Sequence, residues 1–61
     1  SDLEKLAEAY KDEYQPGMSG NAIGRMIGKP YGGSWKDKID ELREYLDRAV
    51  QGQNQNLEGA I

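Results

Sequence analysis

The amino-acid sequence predicts an all-α fold, a small three-helix domain with helices near residues 2–14, 19–28 and 34–50 and a flexible C-terminal tail. Three observations predict it. Apolar residues recur at helical spacing in three separate stretches. Proline and glycine gather in the two breaks between them. Serines stand where each helix would open, and serine is among the best caps for free backbone N–H groups.

In the first stretch Leu3, Leu6, Ala7, Tyr10 and Tyr14 fall on one stripe of an amphipathic helix. Ser1 or Asp2 is placed to cap it, and Asp2 and Glu4 suit the positive end of its dipole. Gln15-Pro16-Gly17 ends it, because proline drives the residue before it into extended backbone. The second stretch opens at Ser19, presents Ala22, Ile23, Met26 and Ile27 on one face, and closes at Gly28. Gly20 and Gly24 inside so short a helix each cost roughly 1 kcal/mol against alanine, which points either to close approach of a neighbour at Gly24 or to poor helicity.

Lys29-Pro30-Tyr31-Gly32-Gly33 is a loop. Ser34 then opens the third helix, with Ser34 and Asp37 spaced as a capping box. Trp35, Ile39, Leu42, Leu46, Ala49 and Val50 follow at three- and four-residue spacing. The expected core is Trp35, Ile39, Leu42, Leu46, Ile23, Ile27, Leu6 and Tyr10. Beyond Gln51-Gly52 the chain has no period. Residues 1–50 are therefore read as the domain and 51–61 as a disordered tail.

A chain of 61 residues has room for one thin core and little else. It contains no cysteine, which excludes disulfides, thiolate metal sites and thiol nucleophiles. It contains no histidine, so the usual general base and commonest metal ligand are missing. Ser1, Ser19 and Ser34 have no activating partner, and the acidic residues of the third helix read as a solvated face. No enzyme, metal or cofactor is expected. Apolar runs never exceed two residues, so no membrane span is expected, and the charged amino end shows no signal-peptide pattern. The cytoplasm is the expected compartment.

The net charge of −3 hides a pattern. Residues 1–17 and residues 40–61 each carry −3, whereas residues 18–39 carry +3, from Arg25, Lys29, Lys36 and Lys38 against Asp37 alone. Gly32-Gly33-Ser34 leads this basic third into a helix amino terminus, where free N–H groups attract anions. The loop is no nucleotide-binding P-loop, since no lysine precedes Ser34 and no strand precedes the loop.

Ile23-Gly24-Arg25-Met26-Ile27-Gly28 has the form apolar, small, x, x, apolar, glycine. Over residues 19–46 this resembles the helix-turn-helix DNA-binding domains, in which the small residue permits close helix packing and the glycine makes the turn. The resemblance implies a non-enzymatic nucleic-acid-binding domain with the third helix as recognition helix. Arg25, Lys29, Lys36 and Lys38 are then the expected phosphate contacts, with Tyr31 and Arg43 as base or groove contacts. Residues 28–42, GKPYGGSWKDKIDEL, also resemble the loop and helix of the subunit-binding domains of 2-oxoacid dehydrogenase complexes. That resemblance implies the alternative, a docking module or small regulator that binds a protein partner through its helical faces and Gly-rich loop.

Overall fold

The computed structural model describes the backbone of residues 1–60 and the side chains of residues 1–52. Its elements are α1 (Asp2–Tyr10), α2 (Gly20–Ile27) and α3 (Ser34–Ala60), with no strand among the described residues. Both α1 and α2 pack on α3, α1 more extensively.

A capping box opens α1. The Ser1 hydroxyl accepts from the Glu4 N–H at 3.3 Å, and the Glu4 carboxylate accepts from the Ser1 nitrogen at 3.2 Å. The helix stops at Tyr10 rather than near residue 14. Residues 11–13 form turns, with the N–H groups of Glu13 and Tyr14 both donating to the Tyr10 carbonyl at 3.0 Å. Pro16 bars helix at Gln15, and the last turn before it loosens. The chain then reverses through a turn closed by the Met18 N–H on the Gln15 carbonyl at 3.1 Å.

Ser19 caps α2 as expected, its hydroxyl accepting from the Ala22 N–H at 3.1 Å. Gly28 ends the helix with φ +76°, a left-handed conformation that costs a side-chain-bearing residue dearly. The N–H groups of Gly28 and Lys29 turn back onto the carbonyls of Arg25 (3.3 Å) and Gly24 (2.8 Å), satisfying two of the acceptors freed at the helix end. At Gly24 a Cβ would lie 2.5 Å from the Lys29 carbonyl oxygen and 3.4 Å from both Ile39 Cδ1 and the Tyr31 nitrogen. The close approach expected there is made by the loop's backbone as much as by α3.

The start of α3 differs from expectation. Ser34 is the first residue inside the helix, and the Ser34–Asp37 box does not form. Instead the N–H groups of Trp35 and Lys36 donate to the carbonyls of Gly32 (3.1 Å) and Gly33 (3.4 Å). This tight start occupies two of the amides that a helix amino terminus would otherwise offer to an anion. At its other end α3 passes the stop expected near residue 50 and runs through Gly52. One glycine costs about 1 kcal/mol and is no barrier by itself. The tail expected over 51–61 otherwise lies outside the described side chains.

The core is Ala7, Tyr14, Ile23, Ile39, Leu42 and Leu46, the last four fully buried. Ile23, Ile39, Leu42 and Leu46 are as expected. Leu6, Tyr10, Ile27 and Trp35 pack against this cluster but remain half-buried. So small a fold encloses few large side chains, and α1 turns its small Ala7 inward while its larger neighbours close the rim. Tyr14, from the first-helix stripe, fills the interior beside α3.

Candidate nucleic-acid interface

The corner formed by the loop 28–33 and the first turns of α3 gathers Lys29, Lys36 and Lys38 over two aromatic rings. Lys29 leaves the glycine turn with its ammonium 5.0 Å from the centroid of the Trp35 ring. Lys38, one turn along α3 from Trp35, places its own at 4.9 Å. Both lysines are exposed, and the indole between helix and solvent is half-buried. Each such contact contributes on the order of 0.5–1 kcal/mol at an exposed site, enough to bias the lysines towards the ring without fixing them.

Lys36 lies beside this pair, 5.6 Å from the Tyr31 ring centroid and 3.7 Å from Asp40 Oδ2. Arg25 is exposed near the end of α2. Among the described residues Arg25, Lys29 and Lys38 form no ion pair, and that of Lys36 is long.

Two of the expected contact residues are tied into the fold by hydrogen bonds of their own. Tyr31 lays its ring against Gly20, where even a Cβ would collide with it, and donates its hydroxyl to Asp40 Oδ1 at 2.7 Å. That hydrogen bond to a carboxylate is the main cause of a phenol pKa raised above its ordinary value. Arg43 turns its guanidinium under the fold and donates to the Met18 carbonyl at 2.6 Å. Tyr14, likewise, donates to Asp47 at 2.5 Å, and its phenol pKa is raised first by burial and then by this bond. Asp40, Arg43 and Asp47 thus form one row along α3 that fastens the two connecting segments to it.

Trp35, expected in the core stripe, stands half-buried at the rim of the core in this corner. Its i+3 spacing to Lys38 was a legible signal, whereas its pairing with Lys29 depends on the loop's path. No family model, curated protein or solved structure matches the chain. The site therefore rests on its own geometry. Among the described residues no acidic cluster could hold a metal ion, and no helix is long and apolar enough to cross a membrane.

Proposed function

We propose that this chain is a small, non-enzymatic nucleic-acid-binding domain of helix-turn-helix build, holding backbone phosphates with Arg25, Lys29, Lys36 and Lys38. The observation that carries the reading is the pair of unneutralised ammoniums, Lys29 and Lys38, gathered on the Trp35 ring. The rest of the chain is net acidic, −3 in residues 1–17 and −3 in residues 40–61. A polyanion is repelled by those acidic segments and attracted to the basic corner, which favours approach there.

Titration of duplex and single-stranded DNA at two salt concentrations tests the reading. Binding to about four phosphates should weaken with salt at a log–log slope of about −3 to −4. The double variant Lys29→Gln/Lys38→Gln should reduce that slope by about 2. No binding of either strand form at low salt overturns the proposal.

A second reading, a protein-docking module, is favoured by the open groove between α1 and α3. Ala7, Tyr45 and Ala49 line it together with Glu4, Glu8, Lys5 and Arg48. A pull-down after nuclease treatment separates the two, because a partner bridged only by nucleic acid disappears.

A further inference from the structure

We infer that the strand taken at this corner is unpaired, with one nucleobase stacked on the Trp35 indole and Lys29 and Lys38 displaced onto the flanking phosphates. The inference rests on the phosphate-binding part of the nucleic-acid reading above and puts a single strand in place of the duplex that a helix-turn-helix domain takes.

The ring carries two side chains that are themselves exposed, Lys29 at 5.0 Å and Lys38 at 4.9 Å. Rotation about their flexible stems uncovers the indole without disturbing the fold. A nucleotide offers what the ring and the lysines together can take: a flat π-face and, on either side of it, a negative charge. The ammoniums then exchange a weak cation–π contact for a charge-assisted bond to phosphate, which is the stronger of the two.

Two further observations favour an unpaired strand over a duplex. Between Asp37 and Glu44 the exposed side of α3 carries Asp37, Glu41 and Glu44, with Asp40 shared between Lys36 and the Tyr31 hydroxyl. Arg43, the one cation there besides Lys38, is spent on the Met18 carbonyl. A stiff duplex laid along α3 would bring its phosphates against those carboxylates, whereas a flexible strand crosses the corner and turns away. Tyr31 is held by Asp40 and Gly20, so Trp35 is the platform on which a base can stack.

Trp35 is the only tryptophan in the chain, so its emission reports the stack directly. The probes are an oligodeoxythymidylate of about 12 nucleotides and a duplex of the same length, at equal salt. The single strand is expected to quench Trp35 emission, to shield it from acrylamide, and to bind about tenfold more tightly than the duplex. In Trp35→Leu, checked for folding by circular dichroism, that preference should vanish. Equal affinity for both strands with unchanged emission overturns the stacking and leaves phosphate binding standing. Failure of both strands to bind at low salt removes the nucleic-acid reading itself, and this inference with it. The emission and shielding measurements use the unaltered chain and decide the matter even if Trp35→Leu does not fold.

Discussion

Replacing Gly24 with alanine sets two effects of opposite sign against each other. In a helix interior alanine is favoured over glycine by about 0.8–1.0 kcal/mol. Against that, the new methyl group would sit 2.5 Å from the Lys29 carbonyl oxygen, a backbone atom held in place by its own residue's N–H bond to the Gly24 carbonyl. Backbone does not swing aside as the end of a side chain does. The overpacking cost therefore falls near the top of the usual range, about 3 kcal/mol. The balance is a loss of about 2 kcal/mol, which for a domain of this size lowers Tm by about 8–16 °C. Thermal unfolding followed by circular dichroism reads it. Gly52→Ala is the control, since nothing lies within 4 Å of a Cβ there. It gains the helix preference without a collision and should stabilise by up to about 1 kcal/mol. A Gly24→Ala protein as stable as the parent, or more so, refutes the reasoning: the loop would not press on α2 as described.

Tyr14→Phe should cost about 1.5 kcal/mol in urea unfolding, because it deletes a hydrogen bond to the Asp47 carboxylate; a change near zero would mean the bond is not made in solution. Alkali should destabilise the fold. The unfolded chain releases its tyrosine protons near pH 10, while Tyr14 and Tyr31 hold theirs to higher pH when folded. Their contribution is thus complete below that value and lost as pH rises through their folded pKa values. The fall in Tm from about pH 9 to about pH 11 should shrink in Tyr14→Phe/Tyr31→Phe. Trp35→Ala should cost about 2 kcal/mol, short of the about 3–5 kcal/mol typical of enclosed large aromatics, because the ring is half-buried. A loss above about 4 kcal/mol in denaturant titration would place Trp35 in the core after all.

The amino-acid sequence carries the three helices, the Ser19 cap, the glycine stop at Gly28 and the interior positions Ile23, Ile39, Leu42 and Leu46 in readable form. These follow from local rules, the 3.6-residue period and the demands of helix ends, which act within a few residues along the chain. It also determined that the positive charge sits in residues 18–39, since charge is a property of composition. Which of the chain's cations stand free depends instead on tertiary contacts. Arg43 and Lys38 look alike in the sequence, yet Arg43 reaches Met18, 25 positions earlier in the chain, while Lys38 rests on Trp35. The same holds for Tyr31 and Trp35. Tyr31 was the expected surface aromatic and is tied to Asp40, whereas Trp35 was expected in the core and stands at its rim under two lysines. The physical reason is that periodicity places a residue on a face but does not say how far the neighbouring elements extend over it. Coverage depends on where the turns at Pro16 and Gly28 send the chain, and in a fold this thin a shift of one side chain's width separates core from surface.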